Sequence, residues 1–245
     1  MDTTYRTYLL EAVGTYLVVL VGAGTLCTTF LNPLSQVGGA TLAVALAEGL
    51  TLAAVLSWTT LVSPGCCNPA VVLSLWLTSK KQLAEALGLI LAQLGGAFLA
   101  GCSVRFLFID QVLTDARLGT PHLKAVLATD GSLTLAALTT GFLLEALFTA
   151  LVTLSVLTTI LHPRRPQVGG LIVGLTQVAV ILFGFHLTGG AANPARWFGP
   201  ALWQWSVSGI EAPLAQHAVY WAGPAVGAML ATVVYSRWIA GPESR

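Results

Sequence analysis

Charge is what this sequence has least of. Only 9% of its 245 residues are Asp, Glu, Lys or Arg, where a soluble domain carries roughly a quarter. With 56% hydrophobic residues and a mean hydropathy of +0.81, the chain cannot cover a water-facing surface, so its outer solvent is lipid. A net charge of +1 leaves no basic excess for a nucleic-acid partner. Cysteine is sparse as well. Cys27, Cys66, Cys67 and Cys102 sit in or beside apolar segments, with neither a disulfide framework nor a metal-ligand spacing. Metal and redox chemistry therefore find no support, and no cofactor is expected. The first residues, MDTTYRTYLLEAVG, lack a basic n-region and a small-residue cleavage site, so no cleaved leader is expected.

What the sequence does hold is long apolar stretches. Segments of about 20 residues, enough to cross a bilayer, run over 8–31, 40–61, 82–108, 134–160, 167–187 and 216–238. That makes six spans. Two shorter apolar pieces, 68–77 and 193–203, are too short to cross and too apolar for water. Each opens with the same tripeptide, in the contexts SPGCCNPAVVLSLWL and LTGGAANPARWFGPAL.

Three spans with one half-length piece, then the same again, make an internal repeat. The first copy covers about 8–108 and the second about 134–238, within one transmembrane channel domain over 1–245. The stretch 109–133, with Asp110, Asp115, Gly119, Pro121 and Asp130, reads as an outside loop joining them. An odd number of spans per copy sends the second copy into the membrane from the opposite face. Glu11 matches Glu145 and Asn68 matches Asn193 in this inverted repeat. Interrupted helices at such depth are tolerated only where they line a polar cavity. The expected fold is therefore an all-α membrane protein, with six transmembrane helices and two half-helices.

Lys and Arg set the orientation. Arg6, Lys80, Lys81, Arg164, Arg165, Arg237 and Arg245 fall on one side. The other side carries Arg117 and Lys124, with Arg105 near a span end. The positive-inside bias puts both termini in the cytoplasm.

Asn is a favoured helix N-cap and Pro a favoured first helical residue, since Pro lacks the N–H that would go unsatisfied there. Asn68-Pro69-Ala70 and Asn193-Pro194-Ala195 each start a short helix. Entering from opposite faces, the two would meet near the midplane by their N-termini, each carrying roughly +0.5 of an elementary charge. Side-chain amides that point outward would then be backed by two positive dipole ends.

Two such boxes, the second continued as Asn193-Pro194-Ala195-Arg196-x-Phe198-Gly199-Pro200-Ala201, resemble the aquaporin (major intrinsic protein) family over nearly the whole chain. The resemblance implies a passive, non-enzymatic channel for water and small neutral solutes, built as a homotetramer in the lipid bilayer. It implies that water gives its oxygen to both Asn amides and so relays no proton, the barrier already described for aquaporin-type pores. It implies that Glu11 and Glu145 hold the loop backbones through hydrogen bonds. The plasma membrane is the expected location.

The family's selectivity constriction takes one residue from the second span, one from the fifth and two from the second loop. By the family's spacing these are Glu48, Ile181, Gly190 and Arg196. The family usually has Phe, Trp or His where this chain has Glu48. The set is similar to the His, Ile, Gly, Arg filter of some plant vacuolar-membrane members, which are associated with ammonia as well as water. A Glu48–Arg196 pair across the lumen would narrow or shut the filter. Held against one wall, it would leave the filter open with part of the arginine's field cancelled. Trp197 and Ala201 stand where glycerol facilitators carry Asp and a basic residue, and Tyr220-Trp221 supply the aromatic pair of water channels. Gly65-Cys66-Cys67 replaces the usual Gly-x-His, which places Cys66 on the inner pore lining or leaves it as a small apolar filler.

Three alternatives stay beside the water channel. One is a glycerol or small-solute facilitator. A secondary transporter also uses inverted repeats, but it would need acidic or carbonyl ion sites at the centre. The third is a non-conducting member shut by the Glu48–Arg196 pair. His186 reads as a hydrogen-bonded structural histidine, Cys27 and Cys102 as packing, and Trp203, Trp205, Trp221 and Trp238 as interface anchors.

Overall fold

A computed structural model describes residues 3–31, 39–123, 134–207 and 214–240. Lys124, Asp130 and Arg245 lie outside the described residues, as does the rest of 124–133. The described chain is helical, with no strand among the described residues. The long helices are α1 (Thr3–Thr29), α2 (Ala40–Thr59), α4 (Leu83–Leu107), α6 (Leu135–Thr159) and α7 (Gly169–Gly184). Two short ones, α3 (Pro69–Leu77) and α8 (Pro194–Trp203), follow the Asn-Pro-Ala boxes. The last crossing is composite: α9 (Leu214–His217), a π turn over Ala218–Ala222, α10 (Gly223–Val234) and a second π turn over Tyr235–Ile239.

Five of the crossings are long and apolar enough to span a membrane, the last of them counted over Ala218–Ile239. The expected span 167–187 is shorter in the structure, because α7 has 16 residues. At 1.5 Å per residue that is about 24 Å, below the ~30 Å hydrocarbon core. It stops where the amides of Leu187, Thr188 and Gly189 all turn back to the Gly184 carbonyl. The outer faces of the helices expose Leu91 (70%), Phe106 (76%) and Phe183 (62%). An integral membrane protein can show such side chains to lipid without cost.

Small residues set the packing. In the first half, a Cβ on Gly96 of α4 would strike the Ala12 carbonyl of α1. In the second half, a Cβ on Gly227 of α10 would strike the Ala146 carbonyl of α6. The two copies thus repeat the same crossing, α1 on α4 and α6 on α10. Where the copies meet, α2 lies on α7 through Gly49 and Gly174, each against the other's backbone carbonyl. Close approach of this kind substitutes dispersion contact for the hydrophobic drive that lipid removes.

The segment after α4 differs from the plain loop expected. It forms α5 (Asp110–Asp115) and a 3-10 turn over Arg117–Gly119. Val112, Leu113 and Leu118, all buried, anchor it to an apolar cluster with α1, α2 and α7. Arg117, Leu118 and Gly119 take φ of 49°, 54° and 70°, a left-handed run that turns the Gly119 carbonyl toward the interior. Gly174→Leu should cost about 3 kcal/mol or more, the upper end for overpacking, because backbone and not a flexible side chain blocks the new atoms. The thermal midpoint in detergent, compared with the parent, checks this.

Candidate functional site: the meeting of two half-helices

The two loops before α3 and α8 carry the same local chemistry, position for position. Asn68 caps α3 by accepting from the Ala70 amide at 3.0 Å, and Asn193 caps α8 by accepting from the Ala195 amide at 2.9 Å. Pro69 and Pro194 follow at the first helical position, where no N–H is needed. Ala70 and Ala195 are buried beneath them. Each Asn also donates across to the other loop: Asn68 Nδ2 to the Ala192 carbonyl and Asn193 Nδ2 to the Cys67 carbonyl, both at 2.8 Å. The side-chain amides were expected to point outward into a pore. Instead, one N–H of each is committed to the opposite loop.

The acceptors of those bonds sit in unusual backbone. Cys67 has φ of 45° and Ala192 φ of 48°, both left-handed for residues with a Cβ. That conformation costs roughly 1–2 kcal/mol per residue and must be held by something. Glu11 and Glu145, each fully buried, hold it. Glu11 accepts from the amides of Cys66 (3.0 Å) and Cys67 (2.8 Å), from Ser63 Oγ (2.5 Å) and from Gln93 Nε2 (2.8 Å). Glu145 accepts from the amides of Ala191 (3.1 Å) and Ala192 (2.8 Å) and from Thr188 Oγ1 (2.6 Å). Ser63 and Thr188 in turn accept from the amides of Gly65 and Gly190.

The four positions expected to form a filter come together at one place beyond this centre. Glu48 Oε2 lies 2.9 Å from Arg196 Nε, with both side chains 4% exposed. Arg196 Nη1 donates to the Gly119 carbonyl at 2.9 Å. Gln177 Nε2 donates to Glu48 Oε1 at 3.2 Å and to the Gly190 carbonyl at 3.4 Å. Ile181 is buried one turn along α7 from Gln177. The Glu48–Arg196 pair rests on α1 at Gly22, where a Cβ would collide with the Glu48 carboxyl. Of the two placements considered for this pair, the geometry is the one against a helix wall.

Sequence reasoning missed Gln177, Gly119 and Gly22. A glutamine inside the apolar run GGLIVGLTQVAVILFG was a readable signal; the other two carry none. Cys66 is 3% exposed within an apolar cluster that includes Val71, Val72 and Leu75, a packing environment for its thiol. Trp197 is 2% exposed and stacks on Tyr220 at 5.3 Å, while the Tyr220 hydroxyl donates to the Thr188 carbonyl at 2.6 Å. Trp205 and Trp238 are exposed, Trp203 donates to the Phe98 carbonyl and Trp221 meets Phe198 edge-on. His186 pairs with Thr41 Oγ1 at 3.0 Å.

Two half-helices joined by their N-termini inside a bundle of apolar crossings define a membrane channel. The Major intrinsic protein family matches residues 1–235, and the chain belongs to that family. It is a passive channel and not an enzyme. It is 38% identical over 237 residues to "Aquaporin TIP4-4" of Zea mays, covering 94% of this chain and 85% of that protein. It is 36% identical over 233 residues to "Lens fiber major intrinsic protein" of Gallus gallus, covering 94% and 80%. Its fold superposes on the X-ray structure of the aquaglyceroporin from Plasmodium falciparum with a TM-score of 0.76 at 19% identity, covering 97% of each chain.

Glu145→Gln keeps the shape but turns an acceptor into a donor facing backbone amides. Loss of hydrogen bonds to a charged group, each worth about 1.5–3 kcal/mol, should lower stability by about 3 kcal/mol. Thermal unfolding in detergent, with the parent alongside, measures it.

Proposed function

We propose that the chain conducts water and small neutral solutes, ammonia among them, while excluding protons and ions. The observation that carries this is the crossed pair of Asn68 and Asn193, each capping its own half-helix with its side-chain oxygen while its amide reaches the other loop. Each amide keeps one further N–H for a water oxygen. A water held so turns its hydrogens away from the centre, and two helix N-termini behind it repel cations.

The filter supports the same reading. Glu48 neutralises part of the Arg196 charge, so the constriction is polar without a strong positive field, which suits neutral solutes. A cavity of about 330 Å³ lies where α2 and α6 end and α7 begins, lined by Ser57, Thr60, Ser63, Thr159 and Arg165 among others. In the proposed orientation this is the cytoplasmic vestibule, with both termini on that side. The two repeats fall at about 8–108 and 134–238, and the working unit is a homotetramer with one pore per subunit.

Osmotic swelling of reconstituted vesicles tests the proposal. Swelling well above empty vesicles, with no proton or cation leak, supports it; no swelling points to a non-conducting member shut at the Glu48–Arg196 pair. Glycerol uptake at the rate of water would favour the facilitator. Asn193→Asp should raise cation leak about thirtyfold, since two helix ends each worth about 1 kcal/mol to a nearby charge then face a carboxylate. Leak is read with a potential-sensitive dye in the same vesicles.

A further inference from the structure

Gln177 is a polar side chain, 4% exposed, on a helix whose other residues are apolar save Thr176. It sits one turn from Ile181, on the same face of α7. Its amide reaches both Glu48 Oε1 and the Gly190 carbonyl. It therefore touches two of the four filter positions and shares a helix face with a third. The Glu48 carboxyl is gripped at both oxygens, by Gln177 on Oε1 and by Arg196 on Oε2. Behind the pair lies the bare backbone of Gly22, where a Cβ would also stand 3.0 Å from Arg196 Nε. On the far side of Arg196, the Gly119 carbonyl draws the guanidinium toward the segment after α4.

We infer that Gln177 is a positioning residue that holds the Glu48–Arg196 pair against α1 and thereby sets the opening of the filter. Without the Gln177 amide, Oε1 becomes a buried acceptor with no donor. A carboxyl oxygen in that state turns toward the nearest available donor, and in this place that is water in the pore. The carboxyl then swings off the helix wall, and Arg196 follows through the bond at Oε2. A buried polar network with every member satisfied specifies one arrangement, and removal of one member releases the others.

The inference rests on the channel reading above, and the experiment separates the two. Parent, Gln177→Leu, Gln177→Met, Glu48→Gln and the double variant Glu48→Gln/Gln177→Leu are reconstituted at matched protein content. Water permeability is read by stopped-flow light scattering against empty vesicles. A parent no faster than empty vesicles overturns the channel reading and the inference with it. With a conducting parent, Gln177→Leu should swell about tenfold more slowly, the effect of one lost hydrogen bond to a charged group. In the Glu48→Gln background the same substitution should change the rate about twofold or less, because no charged carboxyl is left to hold. Gln177→Met, of similar length and with no N–H to donate, carries the same expectation and decides the question if the leucine variant does not fold. Equal slowing in both backgrounds, or none in the parent, overturns the inference.

Discussion

The structure depends on two buried carboxyl groups that hold backbone in a conformation it would not otherwise keep. Cys67 and Ala192 are left-handed residues with side chains, and each pays for that shape unless its amide is fixed. Glu11 and Glu145 fix them, and in doing so turn the Cys67 and Ala192 carbonyls toward the opposite Asn. The crossed Asn bonds then tie the two half-helices together by their N-termini. Burying a carboxyl group costs several kcal/mol unless its oxygens are well supplied with donors. Glu11 has four donors and Glu145 three, most of them on the loop to be held. The acid and the loop each make the other tolerable.

The second layer is built on the first. Once the loop before α8 is fixed, Arg196 leaves the first turn of its half-helix with its guanidinium between Glu48 and the Gly119 carbonyl. A buried ion pair is weak evidence for stability, since desolvation offsets most of its attraction. Its role here is directional. The pair brings a carboxyl to a position where the family usually has an aromatic or imidazole ring, and it is kept there by Gln177 and by the space that Gly22 leaves. The outer segment takes part too, because its left-handed run at Arg117–Gly119 supplies the carbonyl that Arg196 needs.

What could be read in the sequence was whatever is local or duplicated. Asn-Pro-Ala is helix-start chemistry, complete within three residues, and its second copy fixed the inverted repeat. Glu48 and Arg196 were legible through the resemblance, which implies their positions by the family's spacing from those boxes. The crossed use of the Asn amides was not, because it depends on where the other loop lies. Gln177 reads as a polar blemish in an apolar helix until α2 is packed beside it. Gly22 and Gly119 act by an absent side chain and a turned carbonyl, which no residue type announces. The short helix Asp110–Asp115 was read as loop because its few apolar residues, Val112 and Leu113, gain meaning only against the apolar cluster they fill.

Amide hydrogen exchange at the two loops tests the central claim most directly. The amides of Cys66, Cys67, Ala191 and Ala192 belong to no helix, and the acceptors that hold them are the two carboxyl groups. The account predicts that all four exchange as slowly as the cores of α1 and α6, and that Glu11→Gln releases Cys66 and Cys67 first. Exchange of these amides in the parent as fast as in exposed loops would contradict it.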